Sequence, residues 1–395
     1  MQGDPHGYFH IVLLCLCWYV ISSFASQVTK KILTIHPLPL FLGEFQFAYT
    51  ALLAALCCII AKGSLSFHSR FPEGTLPQYH DKSHPQHQRT IFTRPTRHVL
   101  LTVLPLSIFQ FLGKYFGHTA TSLVPISTVA SIKTLSPVCI IILQKVFKVS
   151  NSQLGSQVYL SLACIILGVW IIVSEDNKVY SRVSSLADSN SQQYSSYGIL
   201  CAISSMIIFA SQNIYGKGVF TYKQENANRL DRAVAPLPLY TEKKGTLTVP
   251  ESIKYDKLTL MMYISLVGFS LSFGCFMSLE FSTVYDEIRQ FGIGCIPWYL
   301  FFINGTFHFL QAMITYQLLG EVSTLTYSIA NIMKRIVVVT VSWLAAGGQI
   351  TANQLIGLLL NVFGLFFYER YNSKKKKEHY LQQINHHKTL PKNKF

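Results

Sequence analysis

The chain has 395 residues, of which 50% are apolar and 13% charged, with a formal net charge of +15. That composition excludes an ordinary soluble globular protein. The positive surplus lies in loops and in the C-terminal tail, where the positive-inside rule puts it in a membrane protein, so nucleic-acid binding is excluded as well.

The apolar residues fall in runs of about twenty, long enough to span a bilayer. The first run begins near Phe9. It has neither the basic start nor the small-residue cleavage site of a removable signal, so it reads as a signal anchor. No Arg/Ser-rich transit peptide precedes it, which argues against plastid or mitochondrial import. Ten spans follow, at about 9–29, 39–62, 98–118, 121–146, 155–174, 195–221, 257–281, 295–319, 321–346 and 352–370. Polar stretches occupy 63–97, 175–194, 222–256 and the tail from Tyr371.

The loop at 63–97 carries Arg70, Lys82, Arg89, Arg94 and Arg97. The loop at 222–256 carries Lys223, Arg229, Arg232, Lys243, Lys244 and Lys254, and the tail carries Lys374 to Lys377. With ten spans these regions share one side with the N-terminus, so both termini are expected in the cytosol. Lys30 and Lys31 fall on the other side, and a long first helix would absorb them. The tail lysines read as topology determinants with some attraction to anionic membrane lipid.

The two halves of the chain look related. Phe24-Ala25-Ser26-Gln27 in the first span matches Phe209-Ala210-Ser211-Gln212 in the sixth. Lys133 and Lys334 are each followed at the same spacing by a Gln-Leu pair, Gln153-Leu154 and Gln354-Leu355. An odd number of spans per half inverts the second copy, the pattern of a carrier with alternating access. The expected fold is therefore an all-α membrane protein of about ten transmembrane helices in two inverted five-helix repeats. The repeats cover residues 1–174 and 195–370, with a polar linker at 175–194 and a basic tail at 371–395.

Charges inside the apolar spans carry the functional signal. Lys334 and Arg335 adjoin in Asn331-Ile-Met-Lys334-Arg335, and Lys133 stands alone in Ser127-Thr-Val-Ala-Ser-Ile-Lys133-Thr-Leu-Ser-Pro137. An ionised group near the bilayer centre costs roughly 2.5–3.5 kcal/mol on insertion scales, so it normally faces a polar cavity or a partner. Three such cations point to a site for an anion. The bland reading is burial against a distant carboxylate such as Glu44, but adjacent cations on a helix point in different directions. Glu44 itself either carries a coupled proton or holds a lysine in place. No metal or cofactor site is expected. The nine cysteines lie mostly in apolar runs without metal-ligand spacing, and His80, His84 and His87 sit in a polar loop. No nucleophile–base pair stands at membrane depth, so an enzyme is not expected.

These motifs, with Trp18-Tyr19 in the first span, resemble the triose-phosphate/phosphate translocators of the drug/metabolite transporter superfamily. The stretch from Ser205 to Ile214, continuing through Tyr215 and Lys217, is most similar to fungal endoplasmic-reticulum members of the Sly type. The resemblance implies that Lys133, Lys334 and Arg335 clamp a phosphate group. Arginine supplies a planar fork and lysine a compact charge for such a group. Positions around the organic part of the substrate depart from the family pattern: Lys114 stands where many plastid members have histidine, Gln212 where they have arginine, and Gln311 near a tyrosine. Lys114 could replace the charge missing at Gln212 and favour a carboxylate-bearing substrate.

Thr128, Tyr327 and Ser328 are candidate hydrogen-bond donors to substrate, or helix-packing groups. Lys114 and Lys217 lie near expected helix ends, where snorkelling equally accounts for them. Gly168, Gly357 and Gly364 read as helix-packing positions, and Asn304-Gly305-Thr306 as an unmodified sequon inside a span. The leading expectation is exchange of a small organophosphate, such as phosphoenolpyruvate, 3-phosphoglycerate or triose phosphate, for inorganic phosphate. The alternatives are a nucleotide-sugar transporter and a non-transporting factor in traffic between endoplasmic reticulum and Golgi. The expected membrane is the endoplasmic reticulum, with the Golgi second.

Overall fold

The computed structural model describes residues 5–71, 75–77, 97–146, 155–184, 191–220, 256–321, 324–347 and 350–389. His80, His84, His87, Gln153-Leu154 and the cations from Lys223 to Lys254 lie outside the described residues. The described residues form α1 (Pro5–Ile35), α2 (Pro39–Gly63), α3 (Leu65–His68), α4 (Arg97–Leu123), α5 (Ile126–Lys133), α6 (Ser136–Val146) and α7 (Ser156–Ser184). The second half has α8 (Ser191–Phe220), α9 (Lys257–Leu279), α10 (Phe281–Phe291), α11 (Trp298–Glu321), α12 (Thr324–Ala345) and α13 (Ala352–Thr389). No strand occurs among the described residues. Each of the ten expected segments is occupied by helix, and among the described residues seven helices are long and apolar enough to cross a membrane by length and composition.

Four differences from the sequence reading matter. The fourth span is broken at Thr134-Leu135 into α5 and α6. Pro137 supplies the reason, because its ring lacks an N–H and fits only the first turn of a new helix. Between α9 and α11 lies α10, whose sequence pairs Phe281, Tyr285 and Phe291, all exposed, with a polar face at Asp286, Glu287 and Arg289. Such a helix suits a membrane interface. Helix α7 runs on to Ser184, through a stretch expected to be polar linker, and α13 continues to Thr389.

Charged side chains hold helix ends together at one end of the molecule. The first four N–H groups and last four carbonyls of any helix need outside partners. Lys30, inside the long α1, donates to the carbonyls of Thr121, Ser122 and Val124 at 2.7, 3.2 and 3.2 Å. It thereby caps the C-terminus of α4, where the helix dipole favours a cation. Glu280 accepts from the N–H groups of Leu40 (3.0 Å) and Phe41 (2.8 Å) and so caps α2, whose own N-cap Leu38 offers no side-chain acceptor.

Asp176 of α7 is the densest of these ties. It is 4% exposed and accepts from Ser127 (2.5 Å) and Thr128 (2.9 Å) on α5, Trp343 (3.1 Å) on α12 and Gln354 (2.9 Å) on α13. Four helices thus meet on one buried carboxylate. Its importance is hidden in the sequence because Glu-Asp-Asn-Lys reads as the start of a loop.

Small residues set the close helix crossings. A Cβ built on Gly168 would lie 2.7 Å from the Asn361 nitrogen and the Gly357 oxygen, so α7 and α13 touch backbone to backbone there. On Gly113 of α4 it would lie 2.8 Å from the Phe209 ring of α8. Gly43, by contrast, faces open space. Gly168→Ala is therefore expected to lower stability by about 1–3 kcal/mol, the usual cost of overpacking. Gly43→Ala is expected to be neutral or slightly stabilising. Thermal unfolding of the purified variants in detergent compares the two.

Candidate functional site

Helices α1, α2, α4, α5, α8, α11 and α12 surround a cavity of about 380 Å³. Its wall includes Lys114, Lys133, Gln311, Lys334 and Arg335, so five of the residues singled out in the sequence come together there. The broken fourth span builds the positive end. Helix α5 stops at Lys133, and the Arg335 guanidinium donates to the freed Lys133 carbonyl and to Ser136 Oγ (the latter at 3.2 Å). A cation at a helix C-terminus is favoured by the dipole, and this one locks α12 against the break.

Aromatic faces hold the lysines. Lys334 Nζ lies 4.2 Å from the centre of the Trp18 ring, and Trp18 stacks on Tyr327 at 5.8 Å. Lys133 Nζ lies 5.9 Å from the Phe209 ring and Lys114 Nζ 4.1 Å from the Phe47 ring. Cation–π contact partly replaces lost hydration but neutralises no charge. Among the described residues, no carboxylate lies within ion-pair distance of Lys133, Lys334 or Arg335. Glu44 interacts electrostatically with Lys114. Glu44 also accepts a hydrogen bond from Ser272 of α9.

Of the remaining expected residues, those with described side chains sit off the cavity wall. Gln212 stands behind the wall, donating at 2.8 Å to Gln110, which itself lines the cavity. Tyr327 supports Trp18 rather than lining the cavity. Thr128 is fully buried and committed to Asp176. Lys114 is 7% exposed and does not snorkel to an interface. The side chains of Lys217 and Ser328 lie outside the described residues.

A second group of wall residues was not read from the sequence. His118 Nε2 donates to Gln46 Oε1 at 3.3 Å, Gln46 Nε2 to Asn304 Oδ1 at 2.7 Å, and Asn304 Nδ2 to Thr29 Oγ1 at 2.7 Å. His308 Nδ1 stands 3.5 Å from Thr50 Oγ1. This relay links α1, α2, α4 and α11. Its only sequence signal is that Gln46, His118, Asn304 and His308 are polar in otherwise apolar helices. Asn304, read as an unmodified sequon, is 1% exposed.

A cavity inside a helical bundle, lined by cations from the broken helix α5 and from α12, is an arrangement that transporters use. Comparison with known proteins decides the family. The model of the Triose-phosphate Transporter family matches residues 9–235 and 239–369. The chain belongs to the triose-phosphate transporter family. It is 52% identical to the Saccharomyces cerevisiae protein named uncharacterized transporter YJL193W, over 93% of this chain and 95% of that one. It is 33% identical to uncharacterized transporter SLY41 of the same yeast, over 94% and 82% of the two chains. It is 22% identical to the chloroplastic phosphoenolpyruvate/phosphate translocator 1 of Oryza sativa, over 91% and 71%. This member of the triose-phosphate transporter family is thus a multi-pass membrane transporter and not an enzyme.

The Glu44–Lys114 relationship is testable by itself. Removing one of two coupled buried charges leaves the other bare, while removing both does not. Glu44→Gln and Lys114→Met are each expected to lower thermal stability in detergent. The double variant should fall short of their sum by a coupling of about 0.5–3 kcal/mol. Strict additivity would contradict the pairing.

Proposed function

We propose that this transporter exchanges a small organophosphate for inorganic phosphate by alternating access. The observation that carries the reading is the set of Lys133, Lys334 and Arg335 on one cavity wall with no carboxylate at ion-pair distance among the described residues. A phosphate group would neutralise them, with the arginine fork and the lysine point charges as its ligands. An empty carrier would have to reorient with these charges bare, at several kcal/mol per ion. That asymmetry favours obligatory exchange over net transport.

The helix pairings support two inverted repeats. Helix α1 packs on α11 and its counterpart α8 on α4; α2 packs on its own counterpart α9, and α7 on α13. Swapping the halves maps each pair onto another or onto itself. The relatives support a phosphorylated substrate, since the rice protein is named for phosphoenolpyruvate and phosphate. A cavity of about 380 Å³ lies at the small end of ligand sites, which favours a short-chain phosphate over a nucleotide sugar. On the placement of Lys and Arg, both termini face the cytosol. The resemblance to fungal members favours the endoplasmic reticulum.

Proteoliposomes loaded with phosphate test the reading. Wild type is expected to take up at least one labelled C3–C6 phosphate in counter-exchange. Lys334→Ala is expected to reduce that exchange roughly 30-fold or more, the effect of removing one partner of a buried charged hydrogen bond. No counter-exchange with any such phosphate, from well-folded wild type, would contradict the proposal.

A further inference from the structure

We propose that Trp18 is a positioning residue of the anion site: its indole holds the Lys334 ammonium at the cavity wall and registers the arrival of the anion. This rests on the exchanger reading and adds to it a residue that acts through another. Lys334 lines the cavity, whereas Trp18 stands behind the wall.

The seat of the ring comes from two helices besides its own. Tyr327 and Lys334 are seven residues apart on α12, so they project from one face of that helix, separated by about 10.5 Å along its axis. The indole of α1 fills this gap. Its centre lies 5.8 Å from the Tyr327 ring, on which it stacks, and 4.2 Å from Lys334 Nζ. Trp18 is 1% exposed and packs with Leu318 and Ile314 of α11 and Ala330 of α12. The ring is thus fixed by packing, while lysine carries its charge on a flexible four-carbon stem. A fixed face beside a flexible cation is what positions the cation.

The ring is placed for its face and not for its N–H. A buried indole N–H usually finds an acceptor. Nε1 of Trp18 is buried without a hydrogen-bond partner among the described residues. Leucine or phenylalanine would occupy an apolar seat without leaving such a donor unmade. What tryptophan adds is the π-face that attracts a cation most strongly. The other lysine of the wall shows the contrast. Lys133 Nζ lies 5.9 Å from a phenylalanine ring, Phe209 of α8, and Lys133 also ends α5, where the helix dipole favours its charge. Lys334 stands in the middle of α12, far from any such terminus, and has the nearer and better ring. An anion bound by Lys334 would neutralise the ammonium directly beside the indole, so the indole emission would report the binding.

Fluorescence and exchange kinetics of the full chain test the inference. The tryptophans are Trp18, Trp170, Trp298 and Trp343. Titration of purified wild type with inorganic phosphate is expected to shift the emission. Trp18→Phe is expected to lose most of that shift while still binding phosphate by calorimetry. In phosphate-loaded proteoliposomes, Trp18→Leu is expected to raise KM for phosphate at least threefold and up to about 30-fold, the range of a desolvated cation–π contact, with a smaller change in maximal rate. Trp18→Phe, which keeps a ring, is expected to restore part of the loss. A smaller rise in KM for Trp18→Leu, measured on monodisperse folded protein, overturns the inference. So does a full emission shift in Trp18→Phe. Phosphate–phosphate exchange by wild type is read in parallel. Its presence with either of those results overturns the role of Trp18 and leaves the exchanger standing. Its absence from folded wild type overturns both.

Discussion

The contact between the Arg335 guanidinium and the carbonyl of Lys133 is the constraint on which the site depends. It exists because the fourth span breaks before Pro137 and leaves carbonyls that no helix can use. The same contact brings α12 to α5 and so sets Lys334 and Lys133 on one wall. A continuous helix would offer Arg335 no such acceptor. Irregular backbone at membrane depth is tolerated only where protein or a cavity satisfies it, and here both do.

Charge is used for two purposes in this molecule, and partners separate them. Lys30, Glu280 and Asp176 are engaged by backbone or side-chain groups and hold helix ends together. Lys133, Lys334 and Arg335 have aromatic faces and a carbonyl but no counter-charge among the described residues. The first set ties helix ends to one another. The second set leaves positive charge on the cavity wall, and in the proposed exchanger a mobile anion discharges it. Lys114 stands between the two classes, since it lines the cavity while Glu44 offsets its charge.

Much of this was legible in the chain. Hydropathy located ten helical segments because a span must be long and apolar whatever it packs against. The three cations were legible for the opposite reason: a charge in such a span needs a cause. Gly168, Gly357 and Gly364 were read correctly as packing positions, and backbone contact between α7 and α13 explains them. Tertiary chemistry was not legible. Asp176 looked like loop because its acceptor role depends on Ser127, Trp343 and Gln354, which lie far away in sequence. Thr128 was read as a substrate donor or a helix-packing group, and the same carboxylate takes its hydroxyl. The His118–Gln46–Asn304 relay joins three helices through uncharged groups, which no periodicity singles out. Lys30, which runs against the charge rule in the expected orientation, serves as a cap for α4, a role that its position in the sequence does not show.

The most direct test of the central claim compares uptake of labelled phosphate into phosphate-loaded and into empty proteoliposomes. If bare buried cations prevent the unloaded carrier from reorienting, uptake into loaded vesicles will far exceed uptake into empty ones. Equal uptake in the two would show that the unloaded protein turns over freely, and would contradict the claim that the cation wall enforces exchange.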